Sequence, residues 1–166
     1  EAPNEFVTNG PRFALFAKVA LDTLKRLYWK PDIIVCNDWQ MSFVPQLLKE
    51  NYSDDEFYKD IKTTFLIHSV NKYRNFSRKA YDLIGLECDN TSKDKVVDNY
   101  LSAIKYSDHT ILVDNDNKDN NRKIKSDKNL SKIYKQSNHS ELLLPSNPST
   151  ADWLSLINNL DELLNK

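Results

Sequence analysis

The chain has 166 residues, of which 40% are hydrophobic and 28% charged, and a formal net charge of -1. That length supports one domain with a core of its own, and the balanced charge excludes a bulk electrostatic case for nucleic acid or an anionic membrane surface as partner. No apolar run is long enough to cross a bilayer and no charged-then-apolar leader opens the chain, so a cytoplasmic protein is expected. The two cysteines, Cys36 and Cys88, match no metal-ligand spacing and read as reduced thiols, so no metal and no cofactor is expected. Gly10 and Gly85 are the only glycines, which leaves no Gly-rich phosphate loop in these residues. The first residue is Glu1 and the only methionine is Met41, which suggests a start downstream of the natural one.

Residues 1–11 carry Pro3, Asn4, Asn9, Gly10 and Pro11 and read as a loop. From Arg12 onward, apolar residues such as Phe13, Phe16, Ala17, Leu21, Leu24 and Leu27 recur at helical spacing until Pro31. Asp32 to Cys36 is a short apolar run, the pattern of a parallel strand covered on both faces. Phe43, Val44, Leu47 and Leu48 predict a second helix that tolerates Pro45 only near its start. Thr63 to Ile67 is a second buried strand ending at His68. Val70 to Leu86 reads as irregular or weakly helical, and its Lys72, Arg74, Arg78 and Lys79 as a solvated basic face.

Val96, Val97, Tyr100, Leu101 and Ile104 predict another helix, and Thr110 to Val113 a third strand. Residues 114–130 are almost entirely Asn, Asp and Lys with alternating charge, a solvated surface loop or frayed helix start. Glu141 to Leu144 is a candidate fourth strand. Ser149 then caps a last helix carrying Trp153, Leu154, Ile157, Leu160, Leu163 and Leu164. Strands alternating with helices predict an α/β fold: a single Rossmann-like domain over residues 1–166, a parallel sheet of about four or more strands with helices on both faces.

In such sheets ligands sit beyond the carboxyl ends of the strands. Two strand ends here carry polar chemistry, Asn37-Asp38-Trp39-Gln40 and His68-Ser69. Each residue also has a plain structural reading. Asp38 can cap the following helix, Trp39 can be a packing residue, His68 can be a surface histidine, and Arg12 can pair with a nearby acid.

The run KPDIIVCNDWQ, an apolar helix, and then IKTTFLIHSV resemble the N-terminal domain of bacterial glycogen synthases and plant starch synthases. Those enzymes commonly show a strand ending in H-D-W-Q or N-D-W-Q and then one ending in T-I-H-N. The upstream Asn9-Gly10-Pro11-Arg12-Phe13 resembles their D-N-x-x-R-F helix opening, with Thr8 in place of the Asp. The resemblance spans about residues 8–70, and residues 96–113 loosely.

It implies half of a two-domain glycosyltransferase whose active site lies between two Rossmann-like domains. The family reaction is transfer of glucose from ADP-glucose to an α-1,4-glucan with retention. By resemblance, Asp38, Trp39 and Gln40 form the rim of the cleft. His68 matches the histidine near the transferred sugar and is the one candidate catalytic residue. The implied ligands are an α-glucan and ADP-glucose. A separate synthase domain or a second copy is the implied protein partner, with neither nucleic acid nor membrane.

The sequence departs from the pattern at Ser69, where the family has Asn, and at Asn71-Lys72-Tyr73-Arg74 beyond it. The family's K-x-G-G-L loop and the second, nucleotide-binding domain are not found in these residues. The chain is therefore expected to be incomplete for catalysis on its own. The alternative is a non-catalytic α-glucan-binding or regulatory single-domain relative. A plain Rossmann-like domain with incidental polar strand ends is the third reading.

Overall fold

The computed structural model describes residues 5–88 and 96–165. Helix α1 (Glu5–Arg26) leads into strand β1 (Ile33–Asn37), then helix α2 (Val44–Asn51) and strand β2 (Lys62–Ile67). A small antiparallel pair, β3 (Asn75–Ser77) with β4 (Val96–Asp98), brackets helix α3 (Arg78–Ile84). Helix α4 (Asn99–Tyr106) and strand β5 (His109–Asp114) follow. Then come helices α5 (Asp119–Ser126) and α6 (Lys128–Gln136), strand β6 (His139–Leu143) and helix α7 (Thr150–Leu164).

The main sheet has the order β1-β2-β5-β6 and every pairing in it is parallel. This is the four-stranded parallel sheet that the alternating pattern predicted. Partnered residues of neighbouring strands point to the same face, so the register separates two faces. Cys36, Phe65, Ile67 and Leu112 share one face and are wholly buried in the main core with Phe43, Leu47 and Tyr100. Ile111 and Leu142 lie on the other face, where Leu163 and Leu164 of α7 line a cavity together with Ile33, Thr64 and Ser140. The Ser149 cap is present as a full capping box with Asp152. Leu154 and Ile157, expected on the apolar stripe of α7, remain exposed.

Several elements differ from the sequence reading. The helix assigned from Arg12 already runs from Glu5 through Pro11, so residues 5–11 are not a loop; residues 1–4 lie outside the described residues. Gly10 is a packing notch: a Cβ there would sit 3.2 Å from that of Ala80 and 3.3 Å from that of Phe76. The helix ends at Arg26, short of Pro31, and leaves Leu27 exposed. Strand β1 is an edge strand among the described residues, so Val35 is exposed instead of covered on both faces. Val96 and Val97 are strand and not helix, because they pair with Ser77 and Phe76; the helix begins only at Asn99, capped by Asp98.

The polar segment 114–130 is also ordered. Most of it forms α5 and the start of α6, anchored by buried Ile124 and Leu130. The segment 70–86 contains a helix, α3, closed by Gly85 in the left-handed conformation that a glycine adopts without strain. Arg74 is not part of a solvated face. Its guanidinium is largely buried, 2.6 Å from Asp127 and 3.1 Å from Asp98, the N-cap residues of α6 and α4. One side chain thus ties the 72–77 segment to two helix starts.

Burial pushes the Asp98 carboxyl up to about 6 despite the Arg74 charge and the Tyr100 amide, which both oppose the shift. The folded chain then holds a proton on Asp98 that the unfolded chain releases near 3.8. Stability from this group is present below about pH 4 and is lost as pH rises through about 6. The shift corresponds to at most ~3 kcal/mol. Urea denaturation of the native chain and of Asp98→Asn should therefore give a difference that moves in favour of the variant between pH 4 and 6. A pH-independent difference would contradict the burial of this carboxyl.

Candidate functional site

The two polar strand ends named from the sequence are neighbours. Asn37 is in register with Leu66, and the Asp38 amide donates to the Leu66 carbonyl at 2.8 Å, carrying the ladder one residue past β1. Asp38 then turns with φ 55° and ψ -163°. This positive φ is costly for a residue with a Cβ, and here it sends the carboxylate inward, where Asp38 is 1% exposed. The expected helix-cap role is not what the side chain does, since it makes no cap hydrogen bond to the 3-10 turn Trp39–Met41.

The buried carboxylate is enclosed by donors. The Tyr100 hydroxyl, reaching across from α4, donates to Oδ1 and also lies 2.8 Å from the Ser69 carbonyl. Ser69 Oγ donates to Oδ2 at 2.6 Å and itself accepts from Asn71 Nδ2 at 3.0 Å. His68 Nδ1 stands 3.2 Å from the same Oδ2, while 46% of its side chain is exposed. Burial first, and then the Asp38 charge, raise the Tyr100 hydroxyl far above its ordinary value, so it stays protonated and remains a donor. Hydrogen bonds to a charged acceptor are among the stronger ones, and they make the burial of this carboxylate sustainable.

A second clamp comes from the polar segment. Asn120, in the first turn of α5, accepts from the Val70 amide at 3.0 Å and donates to the His68 carbonyl at 3.0 Å. Its amide thus holds the backbone on both sides of Ser69. Asn120 is placed by Asp114 at the end of β5, whose carboxylate accepts from the backbone amides of Asn115, Asn120 and Asn121. An acid at a helix N-terminus satisfies amides that lack an intrahelical partner.

Trp39 and Gln40 are near these groups but do different work. Trp39 is stacked with Tyr73 at a centroid distance of 5.6 Å and meets Phe13 edge-on at 5.0 Å, so it packs within an aromatic cluster. Gln40 carries a buried Oε1 with no hydrogen-bond partner among the described residues. Asp38 and His68 are the sequence candidates in direct contact with each other. Sequence reasoning passed over Tyr100, which sits on an apolar stripe and looks like core, and Asn120, which is one of many asparagines in a polar run. Only the topology singles them out.

Chemically, the arrangement offers an imidazole backed by a buried carboxylate on an open rim at the carboxyl ends of β1 and β2. Such a pair can accept and donate hydrogen bonds to a polyol. No group of three or more His, Cys, Asp or Glu that could hold a metal occurs among the described residues. Arg74 is committed to Asp98 and Asp127.

A family described as "Starch synthase catalytic domain" matches residues 1–135, which include α1, the first three strands of the main sheet and all the groups just described. The chain is 40% identical over 111 residues to a glycogen synthase of Clostridium perfringens, covering 63% of this chain and 23% of that protein. It is 53% identical over 60 residues to a glycogen synthase of Clostridium botulinum, covering 36% and 13%. The chain therefore spans less than a quarter of the length of these relatives. A solved structure, the catalytic domain of starch synthase IV from Arabidopsis thaliana bound to ADP and acarbose, superposes with a TM-score of 0.64 at 23% identity. It covers 81% of this chain and 29% of that one, a likeness of fold.

The Asn120 clamp is directly testable. In Asn120→Ala the Val70 amide loses its acceptor, and its hydrogen exchange should accelerate about 5–150-fold, the equivalent of a lost buried partner at ~1–3 kcal/mol. Unchanged protection at Val70 would remove Asn120 from the site.

Proposed function

Since the chain belongs to the starch synthase catalytic domain family, we propose that it forms the sugar-facing rim of a glucosyltransferase. The family reaction moves glucose from ADP-glucose to an α-1,4-glucan. In this reading His68 hydrogen-bonds a sugar hydroxyl, Asp38 supports it, and Trp39 and Gln40 shape the wall beside it. The observation that carries the proposal is the contact between Asp38 and His68 at adjacent strand ends, within the segment that matches the family.

The chain alone is proposed to bind glucan without completing transfer. A departing nucleoside diphosphate needs its developing charge stabilised, and such electrostatic stabilisation is commonly the largest catalytic contribution. Arg74 is already neutralised by two carboxylates. The diphosphate clamp is assigned to a second domain, carried by the remainder of a longer protein or by a separate polypeptide. A purely glucan-binding or regulatory role is the second reading, and the commitment of Arg74 favours it.

Affinity electrophoresis in gels containing glycogen tests the binding half. Native chain should be retarded, and His68→Gln should bind about 3–10-fold more weakly, the worth of one ordinary hydrogen bond. Migration unaffected by glycogen would refute the glucan reading. In a transfer assay with ADP-glucose the isolated chain should stay at background; sustained turnover would show that a second domain is not required.

A further inference from the structure

Helix α1 ends in a way that its own packing does not require. The Tyr28 amide donates to the Lys25 carbonyl at 3.1 Å and the Trp29 amide to the Leu24 carbonyl at 3.0 Å, the two bonds of a Schellman stop. The left-handed position of that motif, most often a glycine, is filled by Tyr28 at φ 54°. Trp29 and Leu24 line one apolar groove, as the two ends of such a stop commonly do. Tyr28 joins no such contact and is 93% exposed. A ring that strains the backbone and stays in water adds nothing to the core, so its use lies outside the fold.

The ring borders an open cleft of about 550 Å3 between the end of α1 and residues 52–58, large enough for a small ligand. The opposite wall is a pair of tyrosines that meet edge-on at 4.7 Å. Tyr52 is fixed by donating to Asp22 Oδ1 at 2.6 Å, and Tyr58 by donating to the Leu21 carbonyl at 2.9 Å. Lys25 is paired with Asp55. Arg26, in the last turn of α1, has no side-chain partner among the described residues. Asp22 and Asp55 balance Lys25 and Arg26, so the cleft has no net charge to select an anion. It offers an exposed aromatic face, an uncommitted guanidinium, and carboxylate and phenol lone pairs. That set suits a neutral pyranose, whose ring face carries C–H groups and whose edge carries hydroxyls that donate and accept.

We propose that Tyr28, Arg26 and Asp22 form a second sugar-binding site, at the amino ends of the strands and away from the Asp38–His68 rim. The five residues of β1 separate the two, a distance of about 17 Å at the rise of an extended strand. A branched glucan can engage both places at once, which raises avidity without any new contact at the rim. That the pyranose is α-linked glucose rests on the glucan reading; the site itself does not.

The test is a backbone proton–nitrogen correlation spectrum of the full chain, titrated with maltotriose and, separately, with ADP. Maltotriose is expected to shift the signals of residues 25–29 and 52–58 to saturation. Shifts confined to the rim around His68 overturn the second site and leave the proposed function standing. Shifts confined to 25–29 and 52–58 uphold the second site and remove His68 from sugar binding. A response there to ADP and not to maltotriose overturns the proposal, and no maltotriose response anywhere overturns both readings. In Tyr28→Gly the urea midpoint should rise, because glycine suits φ 54°, while maltotriose binding at this cleft weakens about 3–10-fold. A lowered midpoint would assign the ring to the fold and overturn the proposal. Tyr28→Phe keeps the aromatic face and should bind as the native chain does; a loss equal to that of Tyr28→Gly overturns the stacking role.

Discussion

A carboxylate removed from water must be surrounded by donors, and the organisation of this rim follows from meeting that requirement at Asp38. The residue stands one step beyond the edge strand β1, where the ladder to Leu66 still holds its backbone. Its two oxygens then draw in Tyr100 from α4 and Ser69 from the end of β2. A single buried charge therefore joins two strand ends and a helix. The conformational cost of its positive φ is tolerated because the surrounding hydrogen bonds allow no cheaper arrangement.

The core supports this node from beneath. Tyr100 meets Phe65 edge-on at 5.2 Å, so the ring that carries the donor is fixed by a buried residue of the central strand. Next to it, Asn99 accepts from Tyr81 and donates to Ser42, which links α3, α4 and the start of α2 through another buried polar chain. Arg74 holds the starts of α4 and α6 together on the outer side. The polar groups inside this domain are distributed so that each helix entering the region of the site has at least one specific partner. Packing alone would leave the helices free to shift by a rotamer; hydrogen bonds to buried acceptors do not.

Much of the fold was legible because hydrophobic burial writes itself into short apolar runs. Ile33–Asn37, Lys62–Ile67 and His109–Asp114 each fall within a residue of the run that announced them. Thr150–Leu164 was announced by its cap. The errors came where local pattern and tertiary context disagree. Val96 and Val97 fit a helical stripe as well as a strand, and only the partner β3, some twenty residues upstream, decides. Asn9-Gly10-Pro11 looks like a turn until a neighbouring helix needs the space a side chain would occupy. The 114–130 segment has few apolar residues, and its order depends on Asp114 and Asp127 capping the helices that follow them.

At the site, the strand-end rule placed Asp38 and His68 side by side, but the distinct roles of their neighbours were not visible. Tyr100 is a core residue by periodicity and a hydrogen-bond donor by position, and a sequence shows only the first. One carboxylate is the shared acceptor for groups from separate elements. A double-mutant cycle of Tyr100→Phe and Ser69→Ala, read by urea denaturation, tests it most directly. A coupling of about 0.5–3 kcal/mol between the two hydroxyls is the expected result. Strict additivity would mean that Tyr100 and Ser69 do not share Asp38.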